Sequence, residues 1–150
     1  MSDEPTALRP IDPLAHRALE ALVRAEATLT RRLAADLDRI GVSATGFAML
    51  VLLTSAGGRL ELRAIRRRIG ASKATATEVL DTLESRGFAV RSRLESDRRA
   101  VSVALTPAGA NLVTHAFPSH AERVREVFGG LDEDEKRQLA EICRKLDRAA

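Results

Sequence analysis

The chemistry available to this sequence comes from its arginines rather than from a catalytic or metal-binding set. His16, His115 and His120 share no spacing typical of metal ligands, such as i and i+4 on one helix. The single cysteine, Cys143, excludes an intramolecular disulfide and any multi-cysteine metal site. No Ser/His/Asp or Cys/His arrangement has the local sequence of a known catalytic family, and Gly57-Gly58 lacks the following Gly and Lys of a phosphate loop. We therefore expect no enzyme activity, no metal and no cofactor.

The basic residues are concentrated in the middle of the chain. Residues 57–100 contain eleven Lys/Arg and six Asp/Glu, a net charge of +5, whereas the remainder carries −2. Most of these basic residues are arginines, whose guanidinium groups form bidentate hydrogen bonds with phosphate and guanine. The pattern indicates a polyanionic partner for the middle part. On the charge distribution alone, a solvated charged face without a polyanionic partner is an equally good interpretation.

Composition excludes several classes of protein. The 150 residues correspond to one domain, and a hydrophobic content of 45% can form a core. No run of about 18 apolar residues is present, so we expect neither a transmembrane helix nor a membrane partner. The first ten residues are polar and acidic, unlike a secretory signal, and we expect a cytoplasmic protein. Aromatic residues make up only 3%, which argues against stacking on single-stranded nucleic acid.

A long helix is predicted near the N-terminus. Residues 1–12 are interpreted as a flexible arm, with Asp12 as the N-cap and Pro13 as the first helical residue. The helix predicted over 13–41 ends at Gly41. Because nearly thirty residues is long for a small domain, part of its apolar stripe is expected to pack on another chain.

The middle part has the pattern of a helix-turn-helix. Ser43 is expected to cap a helix over 44–55, and a short helix then carries Arg66 to Arg68 on its polar side before Gly70. Ser72 is expected to cap a helix over 73–86. A short helix, a turn with glycine and a helix that starts with small polar residues are typical of this motif. Its second helix usually lies in the DNA major groove.

Apolar residues then alternate with period two, which predicts two strands of a β-hairpin. The alternating apolar residues are Phe88 and Val90 in the first strand, and Val101, Val103 and Leu105 in the second. The polar residues 94–98 form the turn between them. A hairpin directly after a helix-turn-helix predicts a winged helix.

Two further helices are predicted after the hairpin. Thr106-Pro107 starts the first of them, which Pro118 should kink or split. Asp132 and Glu135 have the spacing of a capping box at the start of the second. Cys143 lies on the apolar stripe of this last helix and is expected to be a buried small hydrophobic residue, with a redox or intersubunit role as the alternative.

Three segments in this order resemble the MarR family of regulators. They are LDTLESRGFAVR at residues 80–91, Asp97-Arg98-Arg99, and LTPAG at residues 105–109. The resemblance implies a fold that is mainly α with a small β-hairpin wing (α+β). It also implies a winged helix-turn-helix over 43–105 and dimerisation helices over 13–41 and 107–149.

The resemblance further implies a function. The chain is expected to be a homodimeric transcriptional regulator that binds a palindromic double-stranded DNA operator, acting as a repressor that a small-molecule effector releases. His16, Met49 and His115 are candidate walls of an effector pocket between the dimer helices and the winged helix. The alternative function is a winged-helix protein-interaction module with only nonspecific DNA affinity. The acidic residues Glu78 and Asp81 on the DNA-reading face of the second helix support this alternative.

Candidate DNA contacts lie on the second helix of the motif and on the wing. Arg99 resembles the family's wing arginine, which enters the minor groove. Asp97 is expected to hold the wing in shape through Arg99 or nearby backbone amides. Arg98 is a candidate phosphate contact or solvated. Arg91 or Arg86 is expected to contact phosphate or remain solvated, and base or phosphate contacts are expected from the start of the helix at Ser72, Lys73, Ala74, Thr75 and Thr77.

Two positions depart from the family pattern. Arg66 stands where relatives usually have a small apolar residue. Glu78 stands where many relatives have a basic residue, and its carboxylate could accept from cytosine or repel a phosphate.

Overall fold

Six helices and three strands make up the part of the chain that the computed structural model describes, residues 10–149. In chain order they are α1 (Pro13–Asp38), α2 (Ala44–Ser55), β1 (Arg59–Glu61), α3 (Leu62–Ile69), α4 (Lys73–Ser85), β2 (Ala89–Arg93), β3 (Val101–Leu105), α5 (Pro107–Val127) and α6 (Glu133–Ala149). The predicted arm at residues 1–12 lies mostly outside the described residues. Across residues 10–149, every helix is too short or too polar to cross a membrane.

The helices begin where the capping residues of the sequence predict. Asp12 accepts hydrogen bonds from two first-turn amides of α1 at 3.0 Å, and Ser43 accepts one from the first turn of α2 at 3.0 Å. Asp132 and Glu135 form the reciprocal capping box of α6 at 2.9 and 2.8 Å. These contacts satisfy amides that have no partner within the helix, so they fix the boundaries locally.

The core is centred on α2, which is apolar on nearly all sides. It packs between α1, α3, α4, α5 and the sheet. The largest fully buried side chains come from α2, α3, α4 and β3: Phe47, Met49, Leu50, Leu53, Ile65, Leu80 and Val103. The core therefore holds the short helix, the following helix and the sheet around one central helix.

The sheet has three antiparallel strands in the order β1-β3-β2, so the predicted two-stranded hairpin was incomplete. Leu60 of β1 lies opposite Val103 of β3, and Arg91 of β2 lies opposite the same residue from the other side. β1 contains only three residues, too few for a period of two to be recognised in the sequence. The third strand fastens the base of the wing to the start of α3.

The buried face of β2 is offset by one residue from the apolar alternation of the sequence. Ala89 is fully buried, whereas the side chain of Val90 is 49% exposed. Phe88 packs on the core from the turn before the strand, where its amide bonds to the carbonyl oxygen of Leu83 at 2.9 Å. The alternation therefore starts at Ala89, and a one-residue shift exchanges the two faces of a strand.

A hydrogen bond holds the start of α5 against the turn between α4 and β2. The Thr106 hydroxyl donates to the carbonyl oxygen of Gly87 at 2.6 Å and accepts from the amide of Gly109 at 3.1 Å. A Cβ atom at Gly109 would overlap the carbonyl oxygen of Phe88. Glycine at this position thus allows α5 to approach the winged helix closely.

Two predictions for the C-terminal helices need correction. Pro118 was expected to kink or split α5; the helix is continuous through it, so the split was wrong and the kink stays a prediction. A proline removes one intrahelical hydrogen bond, and packing of α5 on α1 and α2 holds the rest of the helix. Cys143 is exposed rather than buried, because α6 has no buried residue against the described part of the chain.

An ion pair joins α1 to α5. The Arg123 guanidinium donates to both carboxylate oxygens of Asp36, at 3.1 and 3.2 Å. This hydrogen bonding lowers the pKa of Asp36 below its ordinary value and raises that of Arg123. One turn earlier on α5, the His120 ring packs edge-on against Phe47 of α2 with ring centroids 5.0 Å apart.

Candidate nucleic-acid interface

The turn between α3 and α4 is built by two local devices. Gly70 ends α3 in the left-handed conformation, with φ of 66°. Ser72 caps α4: its Oγ accepts from the Thr75 amide at 3.1 Å and donates to the Thr75 hydroxyl at 2.9 Å. The predicted cap at Ser72 is confirmed, and the hydroxyls of Ser72 and Thr75 are hydrogen-bonded to each other.

The first turn of α4 is presented to solvent. Lys73, Ala74 and Thr75 are exposed, whereas Thr77 is half-buried. Ala76 and Leu80 on the opposite face are fully buried in the core. The packing therefore leaves the start of the helix free to meet a partner, which is the arrangement that major-groove reading requires.

The wing tip is shaped by backbone hydrogen bonds. The Asp97 side-chain carboxylate accepts a hydrogen bond from the Arg99 amide at 2.9 Å. The main-chain carbonyl oxygen of Asp97 accepts one from the Ala100 amide at 3.0 Å. Arg93 donates to the carbonyl oxygen of Arg98 at 3.0 Å, a contact not foreseen from the sequence. The side chains of Arg98 and Arg99 remain exposed beyond the tip.

Arg91 joins the wing to α4. Its Nε donates to Glu84 at 2.6 Å, its amide donates to the same carboxylate at 3.3 Å, and Nη2 contacts Asp81. The hydrogen bonds from Arg91 lower the pKa of Glu84. The bonds to Glu84 and Asp81 raise the pKa of Arg91 itself. Because Asp81 pairs with Arg91, it gives little support to the alternative function as a protein-interaction module.

Arg86 also bonds within the protein. It donates to the carbonyl oxygens of Gly41 and, at 3.4 Å, Ile40, and its guanidinium lies 5.2 Å from the centre of the Phe88 ring. Both arginines at the wing root therefore have protein partners. The Ile40 and Gly41 carbonyls lie about 45 residues away along the chain, and no local signal in the sequence indicates such a contact.

The three candidate pocket residues have different environments. Met49 is 1% exposed within the core. His16 and His115 are exposed, and the Nδ1 of each lies within 2.9 Å and 2.8 Å, respectively, of a carbonyl oxygen four residues earlier. None of the three lines any of four cavities found among residues 10–149. Their role in an effector pocket stays a prediction.

Comparison with known proteins connects this architecture to regulators of transcription. The MarR family model matches residues 42–101. The helix-turn-helix regulator YkoM of Bacillus subtilis is 36% identical over 110 residues, which cover 73% of this chain and 71% of YkoM. The transcriptional repressor MprA of Escherichia coli is 30% identical over 71% of this chain and 61% of MprA.

Solved structures show the same fold. BpsR of Bordetella bronchiseptica, whose DNA binding is regulated by 6-hydroxynicotinic acid, matches with a TM-score of 0.76 and 26% identity, covering 87% of this chain and 98% of BpsR. Sco3205 of Streptomyces coelicolor, a MarR family regulator solved with DNA, matches with a TM-score of 0.83 and 23% identity. That match covers 99% of this chain and 92% of Sco3205.

Proposed function

Because this chain belongs to the MarR family of helix-turn-helix transcriptional regulators and is not an enzyme, we propose that it acts as a homodimer that binds a palindromic operator in double-stranded DNA. The observation that carries the proposal is the exposed start of α4 beside an exposed wing that ends in Arg98 and Arg99. A recognition helix and a basic wing on one side of a domain can occupy adjacent grooves of one duplex.

Each exposed contact residue has a distinct proposed role. Lys73 binds a phosphate, while Ala74 and Thr75 offer methyl groups to thymine in the major groove. Arg99 enters the minor groove, where a narrow A·T-rich segment attracts a guanidinium most strongly. Asp97 positions Arg99 by holding its amide. Arg98 binds the backbone and contributes affinity without sequence preference.

The remaining predicted contacts take supporting roles. Ser72 acts first as the cap of α4, since its hydroxyl is engaged with Thr75. Thr77 is half-buried and lies farther along α4 than the exposed residues Lys73, Ala74 and Thr75. Arg91 orients the wing through Glu84 and Asp81 instead of contacting phosphate.

A second copy of the chain is the proposed occupant of the apolar faces of α1 and α6. Ile142 and Leu146 of α6 are 57% and 54% exposed, and Leu14 and Val23 of α1 are 67% and 57% exposed. Apolar side chains exposed together on one helix face mark protein interaction sites. We assign the helices within 13–41 and 107–149 to dimerisation and 43–105 to DNA binding.

We further propose that the protein is a repressor released by a small molecule. MprA is a transcriptional repressor, and 6-hydroxynicotinic acid regulates the DNA binding of BpsR. A ligand that changes the angle between the dimer helices and the winged helix would change the spacing of the two α4 helices. Binding two half-sites one helical turn apart depends on that spacing.

The test is selection of bound fragments from sheared genomic DNA, followed by titration of the enriched duplex. We expect one inverted repeat, and we expect Arg99→Ala to weaken binding by about 1–3 kcal/mol. Arg98→Ala is the matched control, because a lost phosphate contact weakens specific and nonspecific DNA equally. A fragment pool without a common sequence and with affinities of about 10⁻⁴–10⁻⁶ M would refute the proposal.

A further inference from the structure

A cavity of about 440 Å³ lies between α3, the first residue of α4 and the wing. Its volume falls in the range of small-molecule sites, roughly 300–1,000 Å³. Its walls come from three parts of the chain: the end of β1 with the start of α3, Lys73 of α4, and the wing. The structural elements that define the cavity are therefore those that present Lys73 and Arg99 to DNA.

Arg66 is the unusual member of this wall. Its Nε is buried, and no hydrogen-bond acceptor within residues 10–149 reaches it. A buried charged donor without an acceptor costs free energy, so such groups are normally satisfied by a protein group, a water or an ion. Arg66 also lines the cavity, so its guanidinium contributes a positive charge to the cavity wall.

The charge of the cavity wall selects the kind of acceptor. Arg63, Arg66, Lys73 and Arg99 oppose only Glu61 and Asp97, which leaves a net charge of +2. Glu61 is 3.8 Å from Arg63, and the Asp97 carboxylate already accepts from a wing amide. A phosphate monoester carries about −1.5 to −2 near pH 7, which matches this excess. A DNA backbone phosphate carries only one negative charge.

Apart from Ser96, the rest of the wall is apolar. Leu62, Leu94, Ala100 and Val101 form a surface that a bare inorganic ion would leave uncovered. Ligand sites typically combine such a surface with a few polar groups that fix orientation. We propose that this cavity binds a small phosphate monoester with an apolar body, its phosphate held by Arg66, Lys73 and Arg99.

The effect of such a ligand on DNA binding rests on the proposed function. Lys73 and Arg99 are proposed DNA contacts, so a phosphate monoester in the cavity competes with the operator for the same cations. Such a ligand would release DNA directly at the interface, without any change in the dimer.

The experiment measures phenyl phosphate binding to the full chain without DNA, by calorimetry and by NMR shifts at residues 94–101. We expect phenyl phosphate to bind at least tenfold more tightly than inorganic phosphate or phenol, which each supply half of its chemistry. Affinity should rise between pH 5 and 7, because the second phosphate pKa is about 6. Equal binding of phenyl phosphate and phenol would overturn the inference.

Two variants test the assigned residue. Arg66→Gln should weaken phenyl phosphate binding at least tenfold, while Arg66→Lys keeps part of the affinity through its charge. Arg68→Gln removes the same charge from the same helix but lies outside the cavity, so we expect no effect. Thermal unfolding of each variant confirms that the fold is retained. Unchanged binding by Arg66→Gln would refute the site.

The two proposals can fail separately. If phenyl phosphate binds through Arg66 but the genomic selection finds no common sequence, the cavity stands and the operator proposal falls. If the operator is found and Arg66→Gln weakens DNA binding while phenyl phosphate does not bind, Arg66 serves a DNA phosphate. That result would overturn the monoester site and leave the regulator intact.

Discussion

Replacing Arg91 by glutamine separates two roles that an arginine at the wing root can have. In the structure its side chain is 31% exposed and bonds to Glu84 and Asp81, whose side chains are 35% and 62% exposed. A solvent-exposed ion pair stabilises a fold by about 0.2–1 kcal/mol, and a partly buried charged hydrogen bond by somewhat more. We expect Arg91→Gln to lower the free energy of unfolding by about 1–2 kcal/mol.

This loss should appear as a lower melting temperature, by about 2–8 °C for a chain of this size. The effect should also depend on pH. Arg91 lowers the folded-state pKa of Glu84 below its ordinary value of 4.5, so the stabilisation is present above about pH 4.5 and is lost as the pH falls through the folded pKa. The wild-type protein should therefore lose more stability on acidification than Arg91→Gln does.

DNA binding by Arg91→Gln gives the decisive readout. If Arg91 only orients the wing, affinity falls while the slope of log K against log salt stays unchanged. Each lost phosphate contact would instead reduce that slope by about 0.9. Arg98→Gln is the matched control on the same wing, with a reduced slope and little change in melting temperature. An Arg91→Gln variant with a reduced slope and an unchanged melting temperature would show that our assignment is wrong.

Three further predictions concern packing, assembly and pH. Gly109→Ala should lower the free energy of unfolding in urea by about 3 kcal/mol, because the new Cβ overlaps the Phe88 carbonyl, whereas Gly130→Ala, in open space, should have little effect. Ile142→Asp should convert a dimer to a monomer in sedimentation experiments without lowering helix content, since the Ile142 side chain is 57% exposed in the single chain; an unchanged mass would place the interface elsewhere. Burial lowers the pKa of His120, so the neutral ring is favoured in the fold, and stability should fall as the pH drops below about 6.5; His120→Gln should flatten that dependence, and an identical pH profile would contradict it.

Much of the winged helix could be predicted because its signals are local. The caps at Ser43, Ser72 and Asp132 act on amides two or three residues away, so residue type and spacing are enough to place the helix starts. The same holds for the Asp97 carboxylate, which bonds to an amide two residues later. Exposure of Lys73 and Thr75 also follows from the helical period, once Ala76 and Leu80 are recognised as core.

The partners of the arginines could not be predicted in this way. Arg86, Arg91, Arg98 and Arg99 are all arginines of the basic middle part and look alike in the sequence. In the structure, however, Arg86 and Arg91 bond to protein acceptors, whereas Arg98 and Arg99 extend into solvent. The difference arises from how α4 packs on β2 and on the turn after α1. Contacts across such distances in the chain depend on the assembled fold, not on neighbouring residues.

By itself, the sequence determined the order of the helices, their starts, the basic wing and the family. These features rest on short-range hydrogen bonding, helical periodicity and segments of fixed spacing. Only the tertiary structure decided that Arg59–Glu61 adds a third strand, that Ala89 rather than Val90 faces inward, and that Arg66 lines a cavity beneath the wing. Each of these features depends on which surfaces come into contact when distant segments of the chain pack together. The local pattern of residue types does not encode those contacts.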